Sequence, residues 1–449
     1  MTERQKTLLD TKWSWVDKTN PAFAQALKKI LDTRANLVIT GPGGVGKSVL
    51  IRMASDLLEG NTVVFSTTGV SAANLVNDGV VATTIHSFFG FPPLDIYEGT
   101  YLKPQLSGLM CSVDTLIIDE ISMLNASLME AMLRTLRTYR AYERPQLPRI
   151  LLFGDVLQLP PVVKTKDTQV AECFRSRYDG IEMFYGSPRF MEALFEVIPL
   201  DRIYRQTDTS WQSVLNRIRL GRQTSEDLAV VNTRVTNRER FIDEHPYMMY
   251  LVGTHAKEAA LNEYYLDYEG GLTYRAEFTG SFKRLENVPD VISIAVGMPV
   301  MCLHNNKTAG YQNGTLGRVV AVRPDCVDIK VHSGEVLSVH KERWDEYAYY
   351  RAPDGSIQHK VIGSMLQIGC KPAFACTIHK SQSLTLDSMI LDPDGLGAWS
   401  AGLVYTALSR CTSLEGIGLV KPIAMKHITV SKQGMDFISG DYRKGGLFA

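Results

Sequence analysis

Between Leu37 and Ser48 the chain reads LVITGPGGVGKS. Leu37 to Thr40 presents almost no polar side chain to water, as expected of a parallel strand buried on both faces. Val49 to Leu58 then repeats apolar residues at helical spacing. Between them, Gly41 to Ser48 is a full match to G-x-x-x-x-G-K-[ST]. Strand, glycine loop and helix form the setting in which that pattern holds phosphate. Gly43, Gly44 and Gly46 let backbone N–H groups turn inward with no Cβ in the way. The helix after the loop adds the positive end of its dipole. Lys47 supplies charge for the β and γ phosphates, and Ser48 a hydroxyl for Mg²⁺. The whole octet, Pro42 and Val45 included, is therefore assigned to ATP. A plain glycine turn would give the Lys-Ser pair no task.

Val63 to Ser66, Leu116 to Ile118 and Ile150 to Phe153 read as three more buried strands, with helical stretches between, notably Ala126 to Tyr139. Alternating strands and helices predict a parallel sheet covered on both faces, over about residues 20 to 200. The strand LIID ends in Asp119, with Glu120 next in the chain. Asp119 is expected to hold the metal through water, and Glu120 to orient and activate the attacking water, so hydrolysis is favoured over transfer. Beyond the next strand, FGDVLQLPPVV sets Asp155 and Gln158 beside that acid pair if the strands take their usual order. An amide there can register a γ phosphate, and Pro160-Pro161 would stiffen the loop that passes the signal on.

The 449 residues allow two to four domains. Hydrophobic content of 45% and charged content of 21% place the chain among ordinary globular proteins. No apolar run is long enough to span a membrane. The charged start, MTERQKTLLD, lacks a signal-peptide core, so cytoplasmic residence, nucleoid-associated in a prokaryote or phage, is the expectation. Seven cysteines without a C-x-x-C pair signal neither a disulfide framework nor zinc, and the nine histidines show no ligand spacing. The net charge of +0 argues against binding by bulk electrostatics. A groove that stacks bases and touches a few phosphates needs no global excess of positive charge.

From Asp201 the texture changes. Ser210 to Leu220 predicts a helix and Tyr247 to Val252 a strand. About residues 270 to 370 carry short strand-like runs, Val300 to Leu303, Arg318 to Val322, Val327 to Val331 and Val336 to Val339. Their breaks at Gly, Pro and Asn suggest a small β barrel. The α/β texture returns at Phe374. There, between two apolar segments, ACTIHKSQSLTLD packs Thr377, His379, Lys380, Ser381 and Gln382 together. A buried strand does not carry such groups unless each has a partner or stays wet.

GPGGVGKS, IIDEISML, GDVLQLPPV, YRQ, TIHKSQSLTLD and YTALSRC occur here in the order seen in superfamily 1B DNA helicases. The chain most resembles the petite-integration-frequency family, with RecD and the phage Dda helicase as relatives, over roughly residues 20 to 420. The resemblance implies two RecA-like P-loop NTPase domains with parallel sheets, an SH3-like β barrel inserted in the second and a short wedge in the first. The implied spans are 1–200 with the wedge at about 88–112, then 201–269 with 371–430, the barrel 270–370, and a tail 431–449. ATP would lie between the two RecA-like domains and a DNA strand across their tops. The implied activity is ATP-dependent 5′-to-3′ movement on single-stranded DNA and unwinding of forked duplex, by a chain acting as a monomer.

By the same resemblance, Arg205 and Arg410 reach the γ phosphate from the second domain, and Gln25, with Gln5 as a rival, contacts adenine. Thr68, Gly69, Asn74 and His86 face DNA in the first domain, and Thr254, His255, Asn262, Thr377, His379 and Lys380 in the second. Gln382 couples that contact to the nucleotide. Two positions depart from the family, which more often has Asn where His255 stands and Gly where Ser383 stands. A satisfied core histidine competes for His86. Other whole-chain readings are a translocase that remodels nucleoprotein without unwinding, an RNA helicase of the same build, and a nucleotide switch that ignores nucleic acid.

Overall fold

The computed structural model describes every residue except 1, 18, 68–70, 73–74, 76–79, 93, 98–101, 104–105, 142–145, 165, 246, 266–270, 286–287, 307, 383, 395, 397–399 and 444–449. The chain divides into two compact units. The first takes Met1–Arg205, Ala348–Lys360 and Ser431–Ala449; the second takes Gln206–Tyr347 and Val361–Val430. Six helices position functional groups or core: α1 (Pro21–Asp32), α2 (Lys47–Leu57), α3 (Ala126–Arg140), α4 (His255–Tyr265), α5 (Leu403–Leu408) and α6 (Lys432–Ser439). No helix among the described residues is long and apolar enough to cross a membrane.

The first unit is built on six strands: β1 (Leu37–Thr40), β2 (Thr62–Ser66), β3 (Ala82–Thr84), β4 (Thr115–Asp119), β5 (Arg149–Gly154) and β6 (Glu196–Pro199). They lie in the order β3-β2-β4-β5-β1-β6, and every pairing is parallel. Register decides what gathers at the carboxyl edge. Thr40 pairs with Gly154, and Ile118 with Leu152. The phosphate loop, the acid pair and the Asp155 turn therefore leave the sheet at nearly one level, the usual place for a ligand in an open α/β sheet. The helices α1 and α2 bury Phe23, Ile30, Leu50, Ile51 and Leu57 in one core with Leu37, Ile39, Ile117 and Phe153. Asn20 caps α1 by accepting from the Ala22 and Phe23 N–H groups, and Pro21 takes the first helical position. At the other end the Arg149 guanidinium donates to the carbonyls of Lys29, Ile30 and Ala35 at 2.6–2.9 Å. That holds carbonyls a helix terminus would leave unpaired.

Two distant segments complete this unit. Asn61 binds the hairpin tip 348–360, donating to the Gly355 carbonyl and accepting from the Ile357 N–H, while Tyr349 packs edge-on against Phe88 at 5.5 Å. The stretch expected to be an appended tail contains α6, whose Phe437 sits 5.3 Å from both Phe184 and Tyr185. The Tyr185 hydroxyl donates to the Gln433 carbonyl at 2.7 Å. Buried rings with satisfied polar tips make this a core contact, so 431–443 is part of the first unit's fold.

In the second unit β7 (Met249–Val252), β17 (Ala375–Thr377), β18 (Met389–Leu391) and β19 (Ile417–Leu419) form a parallel sheet in the order β17-β7-β18-β19. The region expected as a small barrel is a largely antiparallel array. Its main sheet runs β16 (Cys370–Pro372), β11 (Pro299–Cys302), β12 (Leu316–Val322), β13 (Cys326–Val331), β14 (Val336–Arg351), β15 (Ile357–Ile368) and β9 (Glu277–Gly280). A separate ribbon pairs β8 (Gly271–Arg275) with β10 (Val291–Ala295). The strands β14 and β15 far outrun the predicted Val336 to Val339, because their outer parts are half-buried in β14 and exposed in β15 on both faces and lack the alternation that marks a strand.

Phe437→Ala removes a ring that three others enclose. We expect it to destabilise the first unit by about 3–5 kcal/mol, measured as a lower urea midpoint; an unchanged midpoint would show that α6 is not part of that core.

Candidate active site

The phosphate loop is shaped by two residues that only glycine suits. Gly46 has φ +89° and Gly44 φ +83°, and a Cβ on Gly44 would stand 2.5 Å from the Cβ of Arg205. Backbone N–H groups can therefore line the loop's inner side. The Lys47 ammonium donates to the Gly41 and Pro42 carbonyls, both at 2.8 Å. Ser48 is exposed on the first turn of α2.

Asp119 is 7% exposed at the end of β4. Burial first, and then the neighbouring Glu120 carboxylate, holds its carboxyl above the usual range, while Lys47 pulls the other way. Glu120 has φ +54°, a left-handed conformation that costs energy in a residue with a Cβ. The twist is fixed by the Glu120 N–H donating to Asp119 Oδ1 at 2.8 Å and by the Thr67 hydroxyl donating to the Glu120 carbonyl at 3.1 Å. It separates the two acids: Asp119 stays inside and Glu120 is half-buried. Gln158 is 5% exposed, in the turn where its N–H donates to the Asp155 carbonyl at 2.9 Å. Strand order puts this turn between the acid pair and the loop.

Arg205 belongs to the first unit, although the resemblance assigned it to the second domain. The Tyr204 N–H donates to the Gly44 carbonyl at 2.8 Å, and this tie brings Arg205 against the loop. Tyr204 is a residue that the motif reading passed over. Its ring is 43% exposed. The hydroxyl accepts from Asn20 Nδ2 at 3.1 Å and donates to Asp17 at 3.3 Å, and the Arg202 guanidinium lies 5.4 Å from the ring centre. An aromatic next to an arginine in DRIYRQ was the available signal. Gln25 is exposed on α1, and it is Phe23 that meets Gly46, at 3.2 Å from the position of an added Cβ. Two residues of helix rotate a side chain by roughly 200°, so the face that meets the loop is Phe23's. The rival, Gln5, is buried and donates to the Leu57 carbonyl at 2.9 Å, a structural bond.

Thr68, Gly69, Asn74 and Ser383 lie outside the described residues. His86 is half-buried, with Nε2 2.7 Å from the Tyr97 hydroxyl, which donates its one proton to the Pro92 carbonyl at 3.1 Å. The histidine is thus built into the aromatic cluster of Phe91 and Tyr97.

In the second unit the polar packet is a turn leaving β17. Thr377 and Ser381 are buried, and the Ser381 hydroxyl donates to the Ile378 carbonyl at 2.8 Å. Gln382 is 7% exposed and its Nε2 has no hydrogen-bond partner among the described residues. Lys380 is exposed and His379 half-buried, its basicity lowered by burial and then by His255. The α4 N-terminus begins beside them, with Thr254 Oγ1 accepting from the Lys257 N–H at 3.3 Å. Asn262, expected at DNA, bonds at both ends of its amide to the Ala375 backbone, at 2.9 and 3.2 Å. It pins α4 to the edge strand β17. Arg410 is 2% exposed; Nε donates to the Thr406 carbonyl and Nη2 to the Ser409 hydroxyl, both at 2.9 Å.

Residues 24–164 match the AAA domain family. The zebrafish protein named ATP-dependent DNA helicase PIF1 is 30% identical over 402 residues, covering 85% of this chain and 58% of that protein. The Bdellovibrio bacteriovorus Pif1 is 29% identical over 417 residues, 89% of this chain and 87% of that one. The crystal structure of Bacteroides sp Pif1 with ADP-AlF4 matches at a TM-score of 0.84 and 28% identity, over 95% of this chain and 97% of that one; the same protein bound to single-stranded DNA matches at 0.66.

The chain belongs to the Pif1 family. The Pif1 likeness spans both units, whereas the AAA match lies within the first, over the cradle, the acid pair and the Gln158 turn. It spans only 58% of the zebrafish Pif1, so that protein has length beyond what is matched.

A raised carboxyl in the folded state favours folding below its unfolded pKa, and that contribution is lost as pH rises through the folded value. Nucleotide-free Asp119→Asn should therefore melt above the wild type at about pH 8, with the gap closing toward about pH 4, while ATP turnover is lost. Equal melting across that range would contradict the burial of this charge.

Proposed function

We propose that this Pif1 chain is an ATP-dependent DNA helicase that moves 5′ to 3′ on single-stranded DNA and unwinds duplex DNA. The observation that carries the reading is the acid pair at the cradle's edge. One carboxylate is buried and the other is turned outward by a left-handed backbone, within a chain that is Pif1-like over 95% of its length.

The phosphate loop and Lys47 bind the β and γ phosphates. Ser48 and Asp119 fit a divalent cation, since a carboxylate buried beside a second acid is a poor structural element and a good hard-cation ligand. Mg²⁺ held there would neutralise phosphate charge. Glu120 accepts a proton from the attacking water, Gln158 positions that water or reads the γ phosphate, and Arg205 adds permanent charge beside the loop. Arg410 takes the role the family motif gives it, at the same phosphate. The exposed ring of Tyr204, held at its hydroxyl by Asn20 and Asp17, offers a stacking face for the base, in place of a Gln25 contact. Thr254, His255, Thr377, His379 and Lys380 form the second unit's DNA face. His86, Thr68, Gly69 and Asn74 are assigned to the first unit's face. The working species on single-stranded DNA is a monomer.

A second reading, a translocase that remodels nucleoprotein without separating strands, draws on the thinness of the expected wedge stretch, about residues 88–112, whose last element is a six-residue helix (Ser107–Ser112). Duplexes with only a 5′ tail or only a 3′ tail discriminate. We expect displacement from the 5′-tailed substrate alone. Translocation without displacement favours the second reading, and ATP turnover indifferent to single-stranded DNA refutes both.

Glu120→Gln should bind ATP and DNA together but hydrolyse about 10²–10⁴-fold more slowly, because an amide cannot take the proton. Lys47→Ala should lose turnover and keep single-stranded DNA binding in a filter or anisotropy assay. Wild-type turnover in either variant would displace the assignment.

A further inference from the structure

The DNA face of the second unit contains an acid that its motifs do not explain. Glu258 lies in the first turn of α4, its N–H donating to the Thr254 carbonyl at 3.1 Å. Its two carboxylate oxygens each accept from the Lys380 ammonium at 2.9 Å, and Oε2 also lies 3.1 Å from His255 Nδ1. The carboxylate is 12% exposed, while the lysine is 40% and the imidazole 78% exposed. The Lys371 ammonium also feels this acid. One anion is thus ringed by basic groups, two of which are assigned to the DNA backbone.

We propose that Glu258 is a positioning residue that stands in for a DNA phosphate, holding Lys380 and His255 in the absence of the strand and competing with the strand for them. The inference rests on the assignment of Lys380 to DNA. A carboxylate and a phosphate offer these donors the same thing, two oxygens sharing a negative charge. When a phosphate arrives, one anion exchanges for another, and the gain is only the difference between them. When it leaves, the ammonium returns to Glu258 and is not left unpaired. A motor must release each phosphate as readily as it grips the next, and a resident competitor lowers the cost of release. The pair bridges α4 and the turn after β17, so it also fixes the lysine over the turn that carries Gln382. With no carboxylate the lysine keeps its full attraction for the strand, which makes binding tighter and more sensitive to salt.

The test uses the full chain, a labelled oligothymidylate, and three variants: Glu258→Gln, Lys380→Ala and the double. We expect Glu258→Gln to lower the Kd about two- to fivefold, the range of an exposed ion pair, and to steepen its salt dependence. It should also lower both the DNA concentration for half-maximal ATPase and the maximal rate, as release slows; a merely structural loss would not tighten binding. Lys380→Ala should weaken binding, and adding Glu258→Gln to it should then tighten binding much less than it does alone, leaving only the share that acts through His255. If Lys380→Ala weakens binding but Glu258→Gln does not tighten it, the stand-in role is wrong and the DNA face stands. If Lys380→Ala leaves the Kd unaltered, the assignment of this face fails and the inference with it.

Discussion

An ionised carboxylate cut off from water must be met by positive charge or give up its ionisation, and Asp119 imposes that condition on the first unit. It is buried at the end of β4, next to a second acid. Lys47 is the cation that acts on it, and its ammonium is already bonded to the Gly41 and Pro42 carbonyls. The left-handed turn at Glu120 leaves the second carboxylate half-buried, where its charge still acts on Asp119. Parallel pairing of β4, β5 and β1 brings all of these groups to one edge. The chemistry assigned to the site is a consequence of charge placed where it is costly without a ligand.

Much of this was legible because parallel strands covered on both faces read as unbroken apolar runs. LVIT, VVFS, LII and ILLF all lie within strands of the sheet. The glycine loop could be read because its backbone needs leave few residue choices. The features that escaped share a physical cause, dependence on partners far away in sequence. The strands β3 and β6 are the exception: ATT and EVIP carry too few apolar residues to stand out. Arg205 borders the second unit in sequence, yet the bond from Tyr204 to Gly44 draws it to the loop. Asn262 sits in a motif position, but its amide is bonded to an edge strand more than a hundred residues later. A motif states which group is present; only packing states whether its polar atoms are still on offer.

The second unit shows the same distinction inside one turn. Ser381 serves the fold, its hydroxyl bonded to the Ile378 carbonyl. Gln382 keeps a buried amide nitrogen with no partner among the described residues. An unmet donor of this kind costs on the order of 1–3 kcal/mol, a cost easier to understand in a turn that changes its bonding during a working cycle than in a static one.

The return of α6 to the first unit bears on how the chain is born. Tyr185 and Gln433 bond across 248 residues, and every residue of the second unit lies between them. On the ribosome the rings of Phe184 and Tyr185 must wait uncovered while all of that is synthesised. Domains ordinarily fold as units in order of emergence. Here the amino-terminal one cannot be finished first, and its exposed aromatic face would be a natural target for a chaperone during translation.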